Sequence, residues 1–114
     1  MITSYVTLTG TNKPVDGAVD KTIIAAQAGK KIYVLRGTIN VTVAAAGTGG
    51  EVALEDGVGG TRFIEIDADA VGVFPFDFGD EGFPLTTNTL LNATVDNAIT
   101  TQASARVSVV VKVV

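Results

Sequence analysis

The chain has no cysteine, no histidine and no tryptophan, and only one methionine and three prolines among its 114 residues. Without cysteine there are no disulfides, no thiolate metal sites and no thiol nucleophile. Without histidine the commonest general base and metal ligand are missing, together with every Ser-His and Cys-His pair. Enzymatic chemistry would have to be built from Asp, Glu, Lys, Ser, Thr and Tyr alone. The expectation is a protein that is not an enzyme and carries no cofactor and no metal.

Basic character is also scarce. Eight Lys and Arg stand against twelve Asp and Glu, a net charge of −4, and the isoelectric point is about 4.5. The cations are scattered apart from Lys30-Lys31, and aromatic residues make up only 6%. Neither a basic stripe nor a base-stacking platform is present, so a nucleic-acid partner is not expected. Long apolar runs are lacking too. The longest, Val107 to Val114, is broken by Ser108 and Lys112 and is too short to span a bilayer. The opening MITSYVTLTG has no basic segment followed by an apolar one, unlike a secretory signal. These features predict a protein made in a cytosol, with no membrane partner. Mean hydropathy is nevertheless +0.41, which in a soluble chain implies apolar surface buried in an assembly.

What is abundant is Val, Thr, Ile and Gly in alternating runs, the composition of an all-β domain. Ile2, Ser4, Val6 and Leu8 alternate with Thr3, Tyr5, Thr7 and Thr9, an edge-type strand with a hydroxyl-rich outer side. Gly10, Pro14 and Asp16-Gly17 punctuate the loop that follows, so residues 1–19 read as a semi-detached arm and loop, with the sandwich in 20–114. A second strand covers Lys21 to Gln27. Lys30 to Ala46 is the longest strand pattern. Tyr33, Leu35, Gly37, Ile39 and Val41 share one of its faces, and Ile32 and Val34 make the other apolar in its first half only. That half should be buried on both sides. Further strands fall at Val52–Leu54, at Arg62–Asp67 with Phe63 opposite Ile64 and Ile66, in the Phe-rich stretch, around Leu91, and at the Val-rich end. About eight strands with turn signals between them predict an antiparallel β-sandwich of jelly-roll type. A regular last strand should tie the final residues into a sheet.

The Phe-rich stretch VGVFPFDFGDEGFPL holds four of the five phenylalanines. Phe74, Phe76 and Phe78 alternate with polar or small positions, so one strand would present all three rings on one face. Phe74 and Phe76 are expected inside the monomer, and Phe78 or Phe83 nearer an interface.

Other motifs have plainer readings. Asp77, Asp80 and Glu81, with Asp67 and Asp69 near in sequence, form a candidate cation site, but the spacing is not that of an EF-hand and Asp and Gly are ordinary turn residues. A carboxylate pair such as Asp77 and Glu81 could in principle serve glycoside hydrolysis, but nothing in the sequence fixes their separation and no tryptophan platform accompanies them. Gly47-Thr48-Gly49-Gly50 and Gly57-Val58-Gly59-Gly60 lead into strands rather than helices, so they read as hairpin turns, not phosphate loops. Asn40-Val41-Thr42 and Asn92-Ala93-Thr94 match the glycosylation pattern without a secretory signal. Lys30, Lys31 and Arg36 are exposed charges that could meet an acidic partner.

Three stretches carry a resemblance: AGKKIYVLRGTINVTVAAAGTGG, FDFGDEGFPLTTNTLLNATVD and ARVSVVVKVV. A Gly-Lys lead-in to a long strand, a Val/Thr strand with an Ala-rich tail, a Gly-containing loop before the strand Thr87 to Thr94, and a Val-rich last strand resemble the capsid decoration, or cement, proteins of tailed bacteriophages. The resemblance covers residues 20–114 and transfers no active-site residue. It implies a β-sandwich that assembles as a homotrimer on the capsid exterior, with the major capsid protein as partner. Synthesis would be in the host cytoplasm and residence on the outer surface of the virion. Trimerisation would bury apolar positions left on outward faces, for which Phe78, Phe83, Val110 and Val114 are the candidates. Related sandwiches also serve as phage tail or fibre modules in host receptor or glycan binding, which is the alternative expectation.

Overall fold

A computed structural model of the chain describes residues 1–10, 19–43, 51–68, 70–95 and 103–114. Among them are nine strands: β1 (Ile2–Gly10), β2 (Val19–Ile24), β3 (Ile32–Val43), β4 (Glu51–Asp56), β5 (Thr61–Asp67), β6 (Gly72–Asp77), β7 (Phe83–Pro84), β8 (Leu91–Val95) and β9 (Ala103–Val113). Four antiparallel ladders nest one inside another. β4 pairs β5 innermost, then β3 pairs β6, β2 pairs β8, and β1 pairs β9. The chain is therefore one long ribbon doubled back at the turn 57–60. There the Gly60 N–H donates to Gly57 O at 3.0 Å, and Gly57 and Gly59 take φ of 83° and 72°, a region that L side chains avoid.

Rolling the ribbon adds two more antiparallel ladders, β3 with β9 and β4 with β8. The result is a sheet of order β1-β9-β3-β6 (sheet A), with β7 also on β3, facing a sheet of order β2-β8-β4-β5 (sheet B). That strand order is the jelly roll. Between the sheets lie Ile32, Val34, Ile39 and Val41 of β3, Val107, Val109 and Val111 of β9, Val52 and Leu54 of β4, and Leu91, Ala93 and Val95 of β8, all buried. All are aliphatic side chains, and within each strand they alternate with outward positions except across the bulge in β3. Burying one Val, Ile or Leu stabilises by about 1.5–3 kcal/mol before entropy is counted. The last strand is tied down at its end: Lys31 N–H donates to Val114 O at 2.9 Å and Val114 N–H to Lys31 O at 3.0 Å.

The ladders shift register at four places, and two of these shifts bear on the expected faces. In the β3–β9 ladder Val34 faces Val111 and Arg36 faces Val110, so Leu35 is the extra residue. The alternation flips there. Ile32 and Val34 join Ile39 and Val41 inside, whereas Tyr33 turns outward. The first half of β3 is thus not a strand sandwiched on both faces. Leu35 is buried separately, with its carbonyl accepting from Phe78 N–H at 2.7 Å. In the β4–β5 ladder Leu54 faces Ile64 and Glu55 faces Arg62. Phe63 is the inserted residue, and it packs against the core beside Ile64 and Ile66 rather than opposite them.

Three further expectations are corrected. Residues 2–10 are not a semi-detached arm: β1 runs in register with β9 from Ile2↔Val111 to Gly10↔Ala103 as the edge of sheet A. The loop 11–18 and the turn 47–50 lie outside the described residues. The strand expected at Thr87–Thr94 starts only at Leu91, because Thr86 O accepts from Thr89 N–H at 3.2 Å and holds residues 86–89 in a turn. The rings, finally, are not three on one strand. Phe74 and Phe76 share the inner side of β6, but Phe74 sits at its rim and is 36% exposed, whereas Phe78 follows the strand. Phe76, Phe78, Phe83 and Phe63 pack against the core. Phe63 stacks on Phe83 at 4.6 Å and 12°, and Phe78 tilts against Phe63, Phe76 and Phe83 at 5.4–6.1 Å.

Candidate interaction surface

The carboxylates singled out in the sequence do not converge. Asp77 points outward from β6, and its Oδ1 accepts from Gly79 N–H at 2.7 Å, closing its own turn. Asp80 contributes only its backbone O, which accepts from Lys112 Nζ at 3.2 Å. Asp67 is on β5 of the other sheet, opposite Glu51, and Asp69 lies outside the described residues. Among the described residues no three Asp, Glu, His or Cys side chains gather as metal ligands. Asp77 lines a cleft that Glu81 does not reach. The turn 57–60 closes the β4–β5 hairpin, as a turn between strands should.

The outward side of sheet B holds a polar network that sequence inspection missed. Asn92 is fully buried, so its glycosylation motif is not accessible. Its Nδ2 donates to Glu55 Oε1 at 2.9 Å and to Asp20 Oδ1 at 3.0 Å. Arg62 reaches across from β5, with Nε on Glu55 Oε2 and Nη1 on Glu51 Oε2, each at 3.3 Å. One guanidinium thus neutralises part of a group of carboxylates, and the amide of Asn92 bonds the other oxygen of Glu55 and also Asp20. Such an arrangement is costly to break from one side, because a buried charge loses its partner. Two acceptors in this region, Asn92 Oδ1 and Thr94 Oγ1, are buried without a hydrogen-bond partner among the described residues. The network's members come from β2, β4, β5 and β8, and only strand order brings them together.

Sheet A presents a different outward face. The register of β1 with β9 and of β9 with β3 aligns Thr3, Tyr5, Arg106, Ser108, Val110, Lys112, Tyr33 and Arg36 on one side. Both tyrosines of the chain are here. Arg106 lies over the Tyr5 ring with its guanidinium carbon 4.0 Å from the centroid, and Lys112 Nζ lies 5.2 Å from that of Tyr33. These are cation–π contacts that hold long side chains in place. Between the two pairs is a cleft of about 550 Å³, walled by Arg36, Thr38, Asp77 and Ser108 and floored by Gly37, Pro75 and Val110. Its floor exists because Gly37 faces Phe76 directly across the ladder. The Phe76 ring covers the glycine from the core side: a β-carbon there would lie 2.7 Å from Phe76 Cζ and 2.2 Å from Ser108 O.

Of the residues named as interface candidates, Phe78 and Phe83 are half-buried members of the ring cluster, Val110 is half-buried at the centre of this face, and Val114 is exposed beyond the end of β9. Arg36 is exposed on the same face; Lys30, which precedes β3, is exposed and Lys31 is half-buried. The most exposed apolar side chains near the rings are Val71 and Val73. Val73 and Phe74 border a second groove of about 440 Å³ that is also lined by Phe63, Ile64, Ile66 and Phe76. No protein-family model matches this chain, and no curated protein sequence matches it.

Proposed function

We propose that this chain is a non-enzymatic virion structural protein, a capsid decoration protein of a tailed bacteriophage. It would bind the outer surface of the capsid as a homotrimer and stabilise contacts between major capsid subunits. The observation that carries the reading is the jelly-roll strand order, the architecture that the resemblance of residues 20–114 implies. The cation-bearing sheet face supports it as a surface suited to contact rather than chemistry. A protein that binds the assembled shell but not its separated subunits stabilises the shell by mass action, by about 2.7 kcal/mol per site at a free concentration 100-fold above Kd.

The test is to mix purified protein with bare, expanded capsids. Binding together with a raised capsid melting temperature is the expected result; no binding and no gain in melting temperature refutes the proposal. Light scattering should return three times the mass of one chain, and a stable monomer would rule out the trimer. One observation favours a second reading, a tail or fibre module recognising host glycans: both tyrosines share the sheet A face. Binding on a glycan array by the isolated protein would support that reading against the first.

A further inference from the structure

We propose that the outward face of sheet A is a docking surface for the carboxylate-bearing surface of a folded protein partner. Its first support is how charge divides between the two faces. The described outward residues of the sheet A strands include Arg36, Arg106 and Lys112 against one carboxylate, Asp77, with Asp80 beside Lys112 in the loop after β6. Those of sheet B include Asp20, Glu51, Glu55, Glu65 and Asp67 against Arg62. A chain of net charge −4 therefore keeps one face cationic. The molecule is about 17 Å through its shortest extent, longer than the Debye length of about 10 Å at 0.1 M salt. At that ionic strength a partner touching sheet A feels its cations, while the carboxylates of sheet B are largely screened.

The second support is the arrangement of those cations. Arg106 and Lys112 are six residues apart on β9, about 20 Å at strand rise, and Arg36 flanks Val110 between them. The centre between the charges is apolar, floored by Val110 and Pro75, with hydroxyls of Thr3, Thr38 and Ser108 around it. An apolar centre with a polar rim, rich in Tyr and Arg, is the anatomy of a protein–protein interface. The broad side of the molecule, with extents of 40 and 25 Å, has room for the roughly 800 Å² per partner of a standard interface.

The same features argue against other anionic partners. A nucleic acid would be held by only three cations on a chain that is negative overall, against the phosphate-by-phosphate neutralisation that such binding needs. A glycan would use the tyrosine rings as stacking platforms, and each ring already carries a cation on one face. Where the decoration reading holds, the partner is the major capsid protein; only that identification rests on the reading.

The experiment compares two double variants of equal net charge, R106E/K112E on the proposed face and K21E/K30E outside the strands that form it. Wild-type protein should be retained on a carboxymethyl surface at 0.1 M salt despite its negative net charge. R106E/K112E should bind at least about tenfold more weakly, since reversing the charges places like against like. K21E/K30E should stay within about twofold of wild type. Equal retention of the two variants, or no retention of wild type, overturns the proposal. Repeating the comparison with bare capsids separates it from the functional reading. Retention on the carboxymethyl surface without capsid binding leaves the face standing and removes the decoration role. Capsid binding that both variants keep in full removes the face and leaves the role. Binding of wild type to a glycan array that R106E/K112E loses would assign the face to sugars instead.

Discussion

Gly37→Ala should be among the most destabilising single-methyl changes in the protein. The added carbon would lie 2.2 Å from Ser108 O, 2.7 Å from Phe76 Cζ and 3.1 Å from Val109 Cα. Two of these three obstacles are backbone of β9, the strand that β3 pairs along most of its length. Neighbouring strands sit about 4.8 Å apart, so relieving the clash means parting the two central strands of sheet A near Gly37↔Val109. Losing one or two ladder hydrogen bonds costs about 1–1.5 kcal/mol each. Moving the Phe76 ring off its seat adds about 1–3 kcal/mol of overpacking strain. The gain in strand propensity from Gly to Ala returns less than about 1 kcal/mol. A net loss near 3 kcal/mol follows, or roughly 12 °C in Tm for a chain this size. Guanidinium unfolding of the wild type, Gly37→Ala, Phe76→Ala and the double variant measures it. Because the nearest obstacle is a backbone oxygen, removing the ring should recover only part of the loss. A double variant as stable as Phe76→Ala alone would show that the backbone contact costs nothing, and the reasoning would be wrong.

Thr94→Val exchanges a buried hydroxyl that has no partner among the described residues for a methyl of the same shape, and should stabilise by about 1 kcal/mol; a loss in urea unfolding would mean that the hydroxyl is satisfied. Glu55→Ala removes a buried acceptor shared by Arg62, Asn92 and Gly59 N–H, and should cost about 1–3 kcal/mol; a change under 0.5 kcal/mol in the same assay would mean that Arg62 and Asn92 re-pair without it. A double-mutant cycle on Phe63 and Phe83, stacked at 4.6 Å, should return a coupling of about 0.5–1.5 kcal/mol, and additive effects would deny the stack any energy of its own.

The fold class was legible because alternation carries it. Val107, Val109 and Val111 share a face in sequence and in the core, as do Ile39 and Val41. In two places where the reading failed, a bulge is the cause. One inserted residue reverses every inward and outward assignment beyond it. Leu35 does this in β3, turning an apparently two-faced apolar strand into an ordinary one-faced strand, and Phe63 does it in β5. No residue pattern announces either insertion, since Leu and Phe are as acceptable at regular positions. The edge position of β1 was legible from its threonines, but its docking onto β9 was not, because that pairing joins residues about a hundred positions apart.

The same distance hides the interaction face. Tyr5, Tyr33, Arg36, Arg106 and Lys112 belong to three strands, and in sequence their cations look scattered, so no basic stripe is visible there. Nesting the ribbon puts β9 between β1 and β3, and that single topological fact turns dispersed cations into a patch. A count of charges along the chain therefore excludes a contiguous basic segment but not a basic sheet face. In a jelly roll, neighbours in the sheet are mostly not neighbours in the chain. The absence of histidine and cysteine is different in kind, because no topology can supply a residue the chain lacks. Composition thus bounds the chemistry of this protein, whereas its recognition surface becomes visible only once strand order is known.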